Sequence, residues 1–151
     1  MLLPGKAGAS DIDLHWLWDN RCADCHGHAG EFSRQFLYVD GDELQGRHHV
    51  HDLRRFMGNH YLSQDEVDGV YQMLFSMVTS PGRYREECSS CHDIAAKFVR
   101  NKLGLHDGAL YRLGTGRPVR EFLEVHRGLE PEDVDFYMKL LTRVAGEVYR
   151  P

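Results

Sequence analysis

Apolar residues recur along the chain at helical rather than strand spacing. Leu14, Leu17 and Trp18 open the pattern, in a segment that Ser10 or Asp11 is placed to cap. Leu53, Phe56, Met57 and His60 follow the i, i+3, i+4, i+7 rule of one helix face, and so do Val119, Phe122, Leu123 and His126. A longer stripe of Val67, Val70, Tyr71, Leu74, Phe75 and Val78 begins after Ser63-Gln64-Asp65-Glu66, a capping box, and Pro81-Gly82 ends it. The last stripe, Val134, Met138, Leu141 and Val144, follows Glu130-Pro131-Glu132, with proline in the first turn. The Gly-containing stretches 38–50 and 104–117 carry no helical period and are expected to be loops. The pattern predicts an all-α fold.

The chain also repeats itself. Displaced by sixty-six residues, Cys22, Cys25 and His26 fall on Cys88, Cys91 and His92. Ala29, Phe32, Arg34 and Leu37 fall on Ala95, Phe98, Arg100 and Leu103, and Leu44, Arg54, Phe56 and His60 fall on Leu110, Arg120, Phe122 and His126. From Cys22 to His60, eleven of thirty-nine positions are identical without a gap, so chance is a poor explanation. Beyond that the register slips by one, and Val67-Asp68 matches Val134-Asp135. The expected organisation is a first repeat over 1–80 and a second over 81–151, as two units or packed as one compact domain.

Size and charge narrow the classes. Of 151 residues, 42% are apolar, and a half of about 70 residues has a poor core unless a disulfide, a metal or a prosthetic group supports it. A net charge of −5 argues against a nucleic-acid partner. No apolar run approaches the ~18 residues of a membrane span, so a soluble protein is expected. Ala7-Gly8-Ala9 has the small-x-small look of a signal-peptidase site, although no basic and apolar leader precedes it.

All four cysteines lie in two Cys-x-x-Cys-His motifs, CADCH at 22–26 and CSSCH at 88–92. Two disulfides suit an oxidising compartment, and a four-thiolate zinc site can use two Cys-x-x-Cys knuckles. Neither needs a histidine directly after the second cysteine in both places. Covalent haem attachment does, since two thiols bond the vinyl groups while the imidazole binds the iron. Haem c is therefore the expected cofactor, one group per repeat, with His26 and His92 as proximal ligands.

Each motif histidine is followed thirty-four residues later by another, His60 and His126, on the apolar stripes above. A lone histidine there reads as a core residue; two at matching positions read as the second axial ligands, within or across repeats. Met57 has Leu123 as its counterpart, and Met73, Met77 and Met138 read as core. His48, His49 and His51 cluster in GRHHVHD without matching histidines in the second copy, and one of them is the competitor to His60. His15, His28 and His106 have no special claim. Arg34 with Arg100 and Arg54 with Arg120 recur, as haem propionate partners or, more ordinarily, as solvated helix positions.

With these motifs and paired histidines the chain resembles the dihaem c-type cytochromes; the motifs cover residues 22–26 and 88–92, and the wider repeat runs roughly from 14 to 147. It implies two tandem cytochrome c-like haem-binding units, with Cys22, Cys25 and His26 on one haem and Cys88, Cys91 and His92 on the other, and His60 and His126 as the second ligands, within or across repeats. The chain lacks the paired methionines of cytochrome c4-type proteins. The small dihaem subunit of periplasmic nitrate reductase is similar in size and uses bis-histidine ligation, but no subfamily is assigned. The implied function is single-electron transfer between redox proteins in the periplasm or another extracytoplasmic space, with no catalytic residues. An acidic surface implies a basic docking partner. Two alternatives stand beside it: a small haem enzyme or gas sensor with one open haem, suggested by the histidine asymmetry, and an electron-transfer subunit of a larger complex.

Overall fold

The computed structural model describes residues 12–48 and 52–149. Ala7-Gly8-Ala9, the cap positions Ser10 and Asp11, and His49 and His51 lie outside the described residues. The first half runs α1 (Leu14–Arg21), α2 (Ala23–His26), α3 (Ala29–Phe36), β1 (Leu37–Asp40), β2 (Glu43–Gly46), α4 (Leu53–Gly58) and α5 (Gln64–Thr79). The second runs α6 (Arg83–Glu87), α7 (Ala95–Lys102), β3 (Leu103–His106), β4 (Ala109–Arg112), α8 (Val119–Leu123) and α9 (Pro131–Val148). The bounds of α7, β3 and β4 are those of α3, β1 and β2 displaced by sixty-six residues, so the sequence repeat is also a repeat of elements.

The all-α expectation is corrected at two places. Both stretches expected to be loops contain antiparallel hairpins, paired Val39 to Leu44 in one and Leu105 to Leu110 in the other. The signal was present but short. Leu37 and Val39 alternate with exposed Tyr38 and Asp40, which is the period of two that a strand needs. The turns are the two-residue type: Gly41 takes φ +58, and Asp107-Gly108 take φ +47 and +76, the double left-handed geometry that Asp-Gly favours. A two-stranded hairpin is marginal alone, and here each leans on the long helix of its unit. The Leu44 N–H donates to the Tyr71 hydroxyl on α5 at 2.7 Å, and the Tyr149 hydroxyl beyond α9 donates to the Leu103 carbonyl at 2.9 Å.

The long helices follow their sequence signals. Ser63 and Glu66 form the reciprocal capping box of α5, and Pro131 opens α9. Asp13 caps α1 by accepting from the Trp16 N–H at 2.9 Å. Each unit has its own core. In the first, Leu17, Leu44, Val70, Met73 and Leu74 are sealed from solvent, and in the second Val99, Val134, Val144 and Ala145 are. A polar seam joins the two: His15 on α1 meets Glu147 on α9 at 2.7 Å, Arg143 reaches the same carboxylate at 2.8 Å, and Asp13 pairs with Arg100. Among the described residues no helix is long and apolar enough to cross a membrane.

Candidate functional site

Each Cys-x-x-Cys-His motif folds as one tight helical turn. The His26 N–H donates to the Cys22 carbonyl at 2.9 Å, and His92 does the same to Cys88 at 2.9 Å. That turn puts the first cysteine and the histidine on one side of the backbone, as an i, i+4 pair. An aromatic residue four positions ahead of the motif fastens it. The Trp18 indole N–H donates to the Gly27 carbonyl at 2.9 Å, and the Tyr84 hydroxyl donates to the Asp93 carbonyl at 3.2 Å. Trp18 and Tyr84 are equivalent positions, as are Gly27 and Asp93; an identity search overlooks the pair because the residues differ. Burial pushes the Tyr84 phenol well above its ordinary range, so it stays a donor. Tyr84→Phe is expected to cost about 1 kcal/mol, the worth of one net hydrogen bond. Trp18→Phe should cost more, because it also leaves a void at a site only 3% exposed. Urea midpoints of the two variants measure this, and an unshifted Tyr84→Phe midpoint would remove the fastening role.

The motif histidine and the later histidine of the same unit face each other. The ring centroids of His26 and His60 are 6.0 Å apart, and those of His92 and His126 are 5.9 Å apart. Two metal–imidazole bonds of about 2.0 Å each, plus roughly 1 Å from each nitrogen to its ring centre, put two trans ligands about 6 Å apart. The pairing is within each unit, not across units. Phenylalanines fix both rings. Phe32 and Phe98 stand edge-on to His26 and His92 at 4.8 and 4.9 Å, while Phe56 and Phe122 stack on His60 and His126 at 4.8 and 4.6 Å. All four phenylalanines are repeat identities, yet nothing in their spacing places them against the imidazoles.

One expectation about these histidines is corrected. They do not project from a helix face: α4 ends at Gly58 and α8 at Leu123, and His60 and His126 lie in the turns beyond. Leu53 and Met57, like Val119 and Leu123, point into the core, while the turn carries the histidine. The chain then bends through left-handed backbone at Tyr61 (φ +64) and Arg127 (φ +60), equivalent non-glycine positions. Such a conformation costs on the order of 1 kcal/mol and recurs where geometry is dictated by a site.

Two of the four imidazoles are biased toward the neutral form. Burial, then the facing His60, holds His26 below the usual histidine range, and burial, then His92 and Arg127, does so for His126. Burial raises the Cys22 and Cys88 thiols above their ordinary value, which disfavours a reactive thiolate. Beside Cys88, Arg83 and then the Tyr137 hydroxyl hold Glu87 down to about 2. In the second unit the opposed imidazoles border an open, largely apolar cleft of about 670 Å³, with Cys88, Leu103, Val119 and Leu123 among its walls. That volume lies within the range of small-molecule and cofactor sites.

The competing assignments separate here. The four thiols form no disulfide, and among the described residues no three or more His, Cys, Asp or Glu side chains gather around a common point as a bare ion requires. Met57 is a core residue, and His48 packs on Phe36 at 6.3 Å rather than opposite His26. His15 belongs to the seam, and His28 caps α3 by accepting from the Gly30 N–H. Arg100, Arg54 and Arg120 are taken by Asp13, Asp68 and Asp135. Compared with family models, with curated proteins and with solved structures, the chain matches none.

Proposed function

We propose that this chain is a one-electron carrier with two covalently attached, six-coordinate haems, working outside the cytoplasm. The observation that carries the reading is the opposed imidazole pair, at 6.0 and 5.9 Å, beside each Cys-x-x-Cys-His turn. Two imidazoles supply only axial donors, so the ligand between them must bring its own equatorial ones. A tetrapyrrole does, and the adjacent thiols suit its vinyl groups: each S–H adds across a C=C bond, leaving a thioether.

When bound, haem iron supplies a one-electron couple between its ferric and ferrous states. The rest is the work of this chain. His26 with His60, and His92 with His126, would hold the iron of each haem from two sides, and with both bound there would be no site for oxygen or peroxide. Histidine in place of methionine on the second face favours a lower potential. The four phenylalanines hold the imidazoles in one orientation, so a change of charge needs little rearrangement. A net charge of −5 favours a basic docking surface on donor and acceptor, and that encounter should weaken as salt rises.

The test is the visible spectrum of the reduced protein before and after carbon monoxide. An unchanged spectrum is expected, since neither iron has a vacant position. A shift equal to one haem would move the reading to an enzyme or gas sensor, and protein without thioether-bound haem would refute it.

A further inference from the structure

The two units repeat each other in ligands and framing rings but differ in charge. Lys102, Arg112 and Arg127 border the cleft of the second unit, and the equivalent positions of the first hold Phe36, Gly46 and Tyr61. Among the described residues none of the three cations is paired with a carboxylate. The Arg112 guanidinium lies 4.7 Å over the Phe122 ring, and that ring stacks on His126, so the charge reaches the axial ligand through one aromatic layer. In the first unit Phe56 stacks on His60 in the same way, but the nearby Arg54 sits over Tyr71 and pairs with Asp68.

Opposing charges do not restore the balance. Of the two carboxylates at the second cleft, Glu87 is claimed by Arg83 and the Tyr137 hydroxyl, leaving Glu86. In the first unit Arg21, which replaces Glu87, is paired with buried Glu66 at 2.8 Å. By sequence, Arg47 replaces Leu113 and Asp24 replaces Ser90, one added cation and one added carboxylate that offset each other in the charge count. Among the described residues at these equivalent positions, the second unit therefore carries more unpaired positive charge than the first.

We infer that the half-reduced protein holds its electron in the second unit, because Lys102, Arg112 and Arg127 favour the reduced iron there. Adding an electron adds one negative charge without making or breaking a bond, and fixed cations beside a low-dielectric cleft stabilise it. Electrons taken up from a donor protein then settle in the second unit, which becomes the end that faces the acceptor. This rests on the haem reading above.

The experiment is a reductive titration of the holoprotein, followed by visible absorption. Two one-electron waves are expected. In the double variant Lys102→Gln/Arg112→Gln the higher wave should move down while the lower stays. The ratio of reduced second haem to reduced first haem at half reduction should fall at least about tenfold. Arg112→Lys, which keeps the charge, should leave both waves in place; Lys102 is exposed and Arg112 half-buried, and neither belongs to the buried core, so the variants should fold. A double variant with both haems attached and neither wave moved, or with only the lower wave moved, overturns this inference alone. Protein that attaches no haem overturns it together with the haem reading.

Discussion

Replacing His126 by alanine is expected to give a protein in which one haem of the two binds carbon monoxide, against none in the wild type. The ring of His126 stands 5.9 Å from that of His92 and is stacked on Phe122, and among the described residues no histidine besides these two borders that cleft. His106, the other histidine of the second unit, sits exposed beside the hairpin turn. The core contributions of α8 come from Val119 and Leu123, which the substitution leaves alone, so the unit should stay folded. Added imidazole should compete with carbon monoxide and restore the parent spectrum, a response that a general loosening of the fold would not give. His60→Ala is the companion test, and the double variant should bind two. It also tests the histidines of GRHHVHD: a His60→Ala protein that stays inert would mean that His48, His49 or His51 ligates the first haem. If His126→Ala too is inert, the assignment of the facing histidines is wrong.

The parts of the site that were legible in the sequence are those set by covalent spacing. If both cysteines and the histidine serve one group, their spacing favours a single helical turn, so Cys22, Cys25 and His26, and their counterparts, could be placed together from their order alone. The repeat then located His60 and His126, because a position that recurs in two copies is unlike an isolated core histidine. What escaped was set by packing between segments. The hairpins are four residues per strand, too short for a period of two to stand out, and their Asp-Gly turn signals lay inside stretches that were read only as irregular. The placement of His60 past a six-residue helix depended on where α4 stops, and helix ends are the least determined feature of a pattern. Trp18 and Tyr84 do one job with two different donors, which no comparison of letters detects. The fate of Arg100 was decided by Asp13, eighty-seven residues away and in the other unit.

Removing the second attachment site should unsettle the second unit more than the first. In Cys88→Ala/Cys91→Ala the covalent haem count is expected to fall from two to one, and amide protection over residues 84–148 should fall with it. The reason lies in what borders the cleft. Val119, Leu123 and Leu103 are themselves buried, but the half-buried Phe98, Phe122 and Leu129 face a space of about 670 Å³, and without a bound group that apolar rim meets water. Leaving the equivalent of two core side chains in contact with solvent costs about 3–6 kcal/mol, comparable to the whole stability of a small unit. The hairpin of β3 and β4 would be the first casualty, being two-stranded and fastened mainly by the Tyr149 hydroxyl and the side of α9. The first unit keeps its own core around Leu17, Val70 and Leu74 and should retain protection. Loss should spread only as far as the seam of His15, Glu147 and Arg143 transmits it. Hydrogen exchange followed peptide by peptide separates the two units directly. Wild-type protection over 84–148 in a variant with a single haem would mean that the second unit folds without its prosthetic group, and that the cleft is held open by the protein alone.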